Sequence, residues 1–153
     1  MQREIKFRGF HKCENGNTII IINGEPVRGK WVYGYYFISE RDIEDGFVWR
    51  DIPQIQQRYG DHYQYFDVIP ETIGQYTGLK DRNGTELYEK DIILFDSKRL
   101  FVIVFNKYGQ FCVKSPEDLQ DEIYAGYCIP DSKKIERIGS IYENPELLSK
   151  IGR

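Results

Sequence analysis

The chain has 153 residues, of which 15% are aromatic, with 12 Tyr and 9 Phe against a single Met. This length fits one domain or one domain with a small lobe, and the aromatic content favours β structure. A net charge of -3, from 21 basic and 24 acidic side chains, argues against a large phosphate-binding surface.

The N-terminal part of the chain predicts short strands separated by tight turns. Residues 5–8 alternate apolar and charged side chains, and residues 18–22 form a β-branched run. Asn-Gly pairs at 15–16 and 23–24 predict the turns on either side of that run.

The strongest strand signal covers residues 30–39, KWVYGYYFIS, which are largely apolar on both faces. Such a strand is predicted to lie centrally in its sheet or to cover an interface. Gly34 predicts a bend or a close backbone approach because it has no side chain. One face carries four aromatic side chains: Trp31, Tyr33, Tyr35 and Phe37.

The next segment predicts two loops between strands. Residues 40–46 are charged and predict a loop, after which Phe47 begins another strand. Residues 54–62 are polar and weakly patterned, which predicts a mobile loop or a boundary between two lobes. Residues 63–69 again have the composition of a strand.

Residues 71–95 predict a hairpin. Asn83 and Gly84 predict a type I′ turn with two positive φ angles, followed by a strand over residues 87–95. A calcium loop is the alternative interpretation, but the flanking helices of an EF-hand are missing, so we favour turn chemistry. The oxygen donors that this alternative would use are Asp81, Asn83, Glu86, Glu89 and Asp91.

The C-terminal part predicts a buried strand over residues 100–106, a short helix beginning at residues 115–118 and a helical turn near residues 144–146. Many short strands with one or two short helices predict a mainly-β protein, built as a small roll or open barrel. We predict an N-terminal β lobe over residues 1–69 and a second part over residues 70–153.

The cysteines and the N-terminus bear on the compartment. Cys13, Cys112 and Cys128 are too few and too widely spaced to predict a disulfide framework. No run approaches the roughly 18 apolar residues of a membrane-spanning helix. The N-terminal residues lack the apolar centre of a signal peptide. Together these features predict a cytoplasmic protein.

Four segments together resemble the YopX family of bacteriophage and prophage proteins, in the order in which that family has them. The resemblance implies an SH3-like β-roll in the central and C-terminal part, and a phage or prophage origin. It implies no activity, because the function of the family is not established. The segments are REIKFRG at 3–9, GKWVYGY at 29–35, ETIGQYTGLKDRNG with LYEKDI within 71–92, and GSIYENPELL at 139–148.

One position departs from the family pattern. The family usually has glycine where this chain has Lys90, between Glu89 and Asp91. Glycine at that position allows a positive φ. Lys90 therefore predicts either a backbone that is not left-handed or a backbone that is strained.

The candidate metal ligands and nucleophiles do not form a recognisable set. His11 and Cys13 would share one face of a strand, but zinc needs three or four ligands. Cys112 or Cys128 would have to come from distant segments, so no metal or cofactor is predicted. Because no Ser or Cys lies in a motif that pairs it with a base, the chain is predicted not to be an enzyme.

Two surfaces are candidates for binding. The face with Trp31, Tyr33, Tyr35 and Phe37 would form a protein contact, unless these side chains fill the core. We predict a protein-interaction module that forms homo-oligomers and binds a host or phage protein. The alternative is a nucleic-acid-binding module using residues 58–66, although Asp61 and Asp67 interrupt its positive charge. Its contacts would be Arg58, Tyr59, Tyr63 and Tyr65.

Overall fold

A computed structural model describes residues 4–42 and 49–149. The chain forms two compact units, residues 5–75 and residues 76–153 with residues 1–4. The mainly-β prediction is confirmed: the described residues form two antiparallel sheets, not a closed barrel, with a single short α-helix. The predicted division into residues 1–69 and 70–153 stays a prediction.

The first unit is one antiparallel sheet in the order β5-β4-β3-β1-β6, with β2 also paired to β3. Strand β6 begins in this unit and continues into the second. The strands are β1 (Phe7–Lys12), β2 (Thr18–Ile22), β3 (Glu25–Asp42), β4 (Trp49–Tyr59), β5 (His62–Asp67) and β6 (Ile69–Lys80).

The two Asn-Gly pairs of this unit form different turns. Asn23 and Gly24 have φ angles of 52° and 81° and join β2 to β3, which confirms the predicted tight hairpin. The turn at Asn15 joins β1 to β2, but both strands pair antiparallel with β3. Because β1 and β2 therefore run in the same direction, this second turn does not close a hairpin.

The core of the first unit lies on one face of β3, β4 and β5. Tyr36, Ile55 and Phe66 are directly opposite one another across the three strands. Ile55 and Phe66 are buried together with Val32 and Val68, and Tyr36 packs against this cluster. The opposite face of the three strands is consequently turned away from the core.

One predicted loop in this region is wrong, and a second is wrong at its start. Residues 54–62 belong mainly to β4 and β5, because the single apolar residue Ile55 is enough to anchor the strand when only one face is buried. Strand β3 extends to Asp42, so the predicted loop over residues 40–46 cannot start at Glu40. The remainder of that loop and the predicted strand start at Phe47 lie outside the described residues.

Gly34 fulfils the predicted close backbone approach. A Cβ atom at this position would lie 1.9 Å from the carbonyl oxygen of Gln56. Only glycine can therefore occupy the position without displacing β4.

The second unit has a five-stranded antiparallel sheet in the order β11-β10-β9-β8-β12, and β7 pairs with the second half of β6. Its core contains Leu87, Ile93, Ile103, Val113 and Ile135. The elements are β7 (Glu86–Tyr88), β8 (Asp91–Phe95), β9 (Arg99–Phe105), β10 (Phe111–Lys114), β11 (Tyr127–Cys128), β12 (Ile135–Ser140) and α1 (Glu146–Ser149), with 3-10 turns at Pro116–Asp118 and Ser132–Lys134.

The two predicted helical segments differ in outcome. The C-terminal helical turn is confirmed as α1. The helix predicted to begin at Ser115 is a single 3-10 turn. The hydroxyl of Ser115 donates to the carboxylate of Asp118 at 2.8 Å instead of accepting from a backbone N–H, so the capping bond that would support a longer helix is not made.

The turn between β6 and β7 is organised by Asp81 and is not type I′. Of its two central residues, Gly84 is left-handed at φ 81° and Asn83 is not. The buried carboxylate of Asp81 accepts from the N–H groups of Asn83 and Thr85 through Oδ1, each at 2.9 Å. Its Oδ2 accepts from the N–H of Arg137 at 2.9 Å, which joins the turn to β12.

A second carboxylate, that of Asp91, is fully buried where β7, β8 and β12 meet. It accepts from the N–H of Tyr88 at 2.8 Å and from Nε of Arg137 at 2.9 Å. Arg137 also donates to Glu143 at 3.1 Å. Burial alone would lower the pKa of Arg137, but Asp91 and Glu143 outweigh it and raise that pKa above its ordinary value.

Removing the carboxylate of Asp91 should destabilise the fold strongly. We expect Asp91→Ala to lower the free energy of unfolding by about 3 kcal/mol or more, because it leaves Nε of the largely buried Arg137 and the buried N–H of Tyr88 without their acceptor. Chemical denaturation monitored by fluorescence measures the change. Arg82→Ala is the matched control, because its ion pair with Glu136 is partly exposed to solvent and should contribute under about 1 kcal/mol. Equal losses in the two variants would contradict this assignment.

Lys90 adopts the left-handed conformation that the family's glycine would favour. Its φ is 71°, so the strained alternative of the prediction is the one observed. Two backbone hydrogen bonds stabilise this conformation. The N–H of Lys90 donates to Ile103 at 2.7 Å, and its carbonyl accepts from Ile141 at 3.0 Å.

Replacing Lys90 with glycine should stabilise the protein. We expect Lys90→Gly to raise the free energy of unfolding by about 1 kcal/mol, because glycine adopts a positive φ without a Cβ clash. Thermal unfolding followed by circular dichroism measures this. Lys90→Ala is the control: it removes the same side chain but keeps the Cβ, and should give no increase. A lower melting temperature for Lys90→Gly than for Lys90→Ala would refute the interpretation.

Candidate interaction face

The face of β3, β4 and β5 that is turned away from the core carries a row of polar aromatic side chains. Tyr35 lies directly opposite Gln56, and Gln56 lies directly opposite Tyr65. Directly opposite residues of antiparallel strands project to the same side of a sheet. The three side chains therefore form one row across three strands.

Two further rows flank this one. The first consists of Phe37, Gln54 and Asp67, which are directly opposite one another. The second contains the opposite pair Arg58 and Tyr63. Tyr33 projects to the same face of the sheet, because it lies two residues before Tyr35 in β3. We call the whole surface the tyrosine face. Its residues are Tyr33, Tyr35, Phe37, Gln54, Gln56, Arg58, Tyr63, Tyr65 and Asp67.

The tyrosine side chains of this face are open to solvent. Tyr35 is 63% exposed, Tyr65 56%, Tyr63 51% and Tyr33 42%. Phe37 is half-buried and packs edge-on against Tyr65, with 5.8 Å between ring centroids. The face is therefore an accessible aromatic surface and not part of the core.

Hydrogen bonds hold the polar residues of the face in place. Gln54 accepts from the hydroxyl of Ser39 at 2.9 Å and donates to the carboxylate of Asp67 at 2.7 Å. Gln56 donates to the hydroxyl of Tyr65 at 3.3 Å. These bonds restrict the side chains before any partner binds.

The electrostatic character of the face is close to neutral. Arg58 and Asp67 are its charged residues. Nε of Arg58 donates to the carbonyl of Gly60 at 2.9 Å, which fixes the guanidinium near the turn between β4 and β5.

The face unites parts of both surfaces that the sequence suggested. It combines three of the four residues proposed for protein contact with three of the four proposed for nucleic acid. Trp31 is half-buried beside Phe10, with the guanidinium of Arg8 4.7 Å from its ring centre. Tyr59 projects to the opposite side of β4, where its hydroxyl accepts from Gln57. Gln54 and Gln56 were missed, although their alternation with Ile55 was the available signal.

The candidate metal ligands have structural partners. Nδ1 of His11 lies 2.7 Å from the carbonyl oxygen of Asp67, and its ring packs against Phe66. Asp81 and Asp91 from the proposed calcium loop bind backbone N–H groups and Arg137. Over residues 4–42 and 49–149, the structure groups no three or more His, Cys, Asp or Glu side chains that could hold a metal ion.

Two cysteines face each other in the second unit. Cys112 of β10 is directly opposite Cys128 of β11, and both are free cysteines. Cys112 is buried and its thiol donates to the carbonyl of Ala125 at 2.8 Å, whereas Cys128 is exposed. Burial is the main cause that raises the pKa of Cys112.

The two thiols should differ in reactivity. Because the thiolate is the nucleophile, iodoacetamide at about pH 8 should alkylate Cys128 about tenfold or more faster than Cys112. Peptide mass spectrometry over time measures both rates in one sample. The same reaction in concentrated guanidinium chloride is the control, and should abolish the difference. Equal rates in the native protein would contradict the burial of Cys112.

Comparison with known proteins gives a family match and a structural match. The profile of the YopX protein family matches residues 26–149. The crystal structure of protein EF1440 from Enterococcus faecalis is similar at 21% sequence identity over 96% of this chain and 99% of that chain, with a TM-score of 0.45. No curated protein matches the sequence. None of the helices in the described residues has the length and apolar composition needed to cross a membrane.

Proposed function

The chain belongs to the YopX protein family, and we propose that it is a non-enzymatic module that binds a host or phage protein through its tyrosine face. The observation that carries this proposal is the convergence of Tyr33, Tyr35, Tyr63 and Tyr65 on one exposed face of a sheet. These residues come from strands that are distant in sequence.

The chemistry of the face supports a protein partner. Tyrosine is enriched at the centres of protein interfaces because its ring contributes a large contact area and its hydroxyl a hydrogen bond. It loses little conformational entropy on binding, since it has two side-chain torsions. Gln56, which is half-buried and held by Tyr65, adds amide groups whose orientation is already set, whereas Gln54 is buried.

Nucleic acid is the second candidate, and the charge of the face disfavours it. Exposed tyrosines could stack on bases, but single-stranded nucleic acid also requires a positive groove along its backbone. Arg58 is the basic residue of the face, and Asp67 offsets its charge. A partner held by aromatic contact and amide hydrogen bonds fits this surface better than a phosphate backbone.

The family and the cysteines support a cellular setting for this role. We infer a phage or prophage origin and action in the cytoplasm of the bacterial host. The facing thiols of Cys112 and Cys128 suit a reducing compartment. The role is non-catalytic in this proposal, in which the buried carboxylates of Asp81 and Asp91 serve to hold the second unit together.

Substitutions on the face should weaken partner binding without unfolding the protein. We expect a Tyr35→Ser, Tyr63→Ser double variant to lose host proteins that the wild type captures from lysate, because each tyrosine contributes more than about 1 kcal/mol. Each captured protein is then purified, and its dissociation constant is measured by calorimetry. The double variant should bind about tenfold or more weakly.

Tyr108→Ser is the matched control, because Tyr108 is 66% exposed and lies outside the tyrosine face. It should bind as the wild type does. A gel shift with single-stranded oligonucleotides at low salt tests the second candidate. Purified partners that bind the double variant and the wild type equally would refute the proposal, and a gel shift lost in the double variant would replace it with nucleic-acid binding.

A further inference from the structure

Strand β5 is an edge strand of the first unit's sheet, and it pairs with β4. A two-residue turn, Gly60 and Asp61, joins the two strands, so Tyr59 and His62 are directly opposite each other. In such a hairpin the residues next to the turn exchange hydrogen bonds, and every second pair does the same. The backbone N–H and C=O groups of Tyr63 and Tyr65 therefore point away from β4.

This edge is not protected in the usual ways. Edge strands are commonly blocked by proline, by lysine or by a bulge. The sequence of β5, HYQYFD, has neither proline nor lysine, and its pairing with β4 is continuous from His62 to Asp67. Its first four residues are exposed. The edge can therefore accept another strand.

We propose that β5 pairs antiparallel with β5 of a second copy of this chain, with Tyr65 of one copy opposite Tyr65 of the other. The partner strand must place its core side and its tyrosine side on the matching sides of the extended sheet. Only registers that pair odd-numbered residues with odd-numbered residues satisfy this condition.

Charge selects between the two central registers. Pairing Tyr63 with Tyr65 would place Asp61 directly opposite Asp67 of the second copy, which is unfavourable. Pairing Tyr65 with Tyr65 places Tyr63 opposite Asp67 and brings no like charges together. The pairing would end at Asp67, whose carbonyl oxygen is already 2.7 Å from Nδ1 of His11.

The pairing would join two tyrosine faces into one surface. This pairing adds a second copy of the chain to the partners of the proposed function. Only the biological purpose of the pairing rests on that function. Pairing over residues 63–67 is short, so the interface buries a small area. The dimer should therefore form at high protein concentration and dissociate on dilution. A weight-average mass that rises from 18.1 kDa towards twice that value is the expected signature.

Sedimentation equilibrium of the full chain, from about 1 µM to about 1 mM, tests the pairing. Tyr65→Lys and Tyr65→Glu should each remain monomeric, because each places like charges opposite one another at the two-fold axis. An equimolar mixture of the two should recover the dimer. A wild type that stays monomeric overturns the proposal, as does a dimer that persists in Tyr65→Lys or a mixture that does not associate.

A second pair of variants tests the backbone contact. Tyr65→Pro removes an N–H that points to the open edge, whereas Tyr65→Thr removes the same ring and keeps the N–H. Circular dichroism establishes that both fold. Tyr65→Pro should lose the dimer and Tyr65→Thr should keep part of it. Equal dimerisation of the two would overturn the edge pairing.

Failure of this inference is distinguishable from failure of the proposed function. Tyr35 lies on β3, away from the open edge, so Tyr35→Ser should weaken partner binding and leave the sedimentation of the free protein unchanged. A monomeric wild type that still loses its partner in Tyr35→Ser would overturn the pairing alone.

Discussion

The second unit depends on one buried carboxylate, that of Asp91. A charge without solvent is tolerated only when hydrogen bonds and an opposite charge replace the water. The N–H of Tyr88 and the guanidinium of Arg137 supply them, and in doing so they hold β7, β8 and β12 together. The buried carboxylate of Asp81 also binds Arg137, but through the backbone N–H of that residue instead of its guanidinium. Acids that first suggested a ligand site thus act as internal connections.

The first unit is built on a different constraint. Its sheet covers a small core with one face of β3, β4 and β5, and the other face carries exposed tyrosines. Tyrosine suits such a surface because its ring is apolar and its hydroxyl remains hydrated. The two units therefore differ in construction: the second is held together by buried charge, and the first presents the exposed tyrosine face.

Local sequence predicted some turns correctly and others only in part. Asn23 and Gly24 form the hairpin that their dipeptide favours, because β2 and β3 are adjacent in sequence and pair directly. Asn83 and Gly84 have the same dipeptide, yet Asp81 organises their loop by accepting from Asn83, Thr85 and Arg137. The last of these partners is distant in sequence. Lys90 shows the reverse case, in which a family pattern exposed a left-handed residue that propensity alone would not predict.

The sequence by itself determined the mainly-β class, the family, and the shared side of Tyr33, Tyr35 and Phe37 on their strand. Those properties follow from composition and from an alternation of period two, which are local. The tertiary structure decided that Tyr35, Gln56 and Tyr65 share one row, that Tyr59 and Trp31 do not join them, and that β5 ends the sheet. Strand order and register depend on backbone hydrogen bonds between distant segments, and neither leaves a local trace in the sequence.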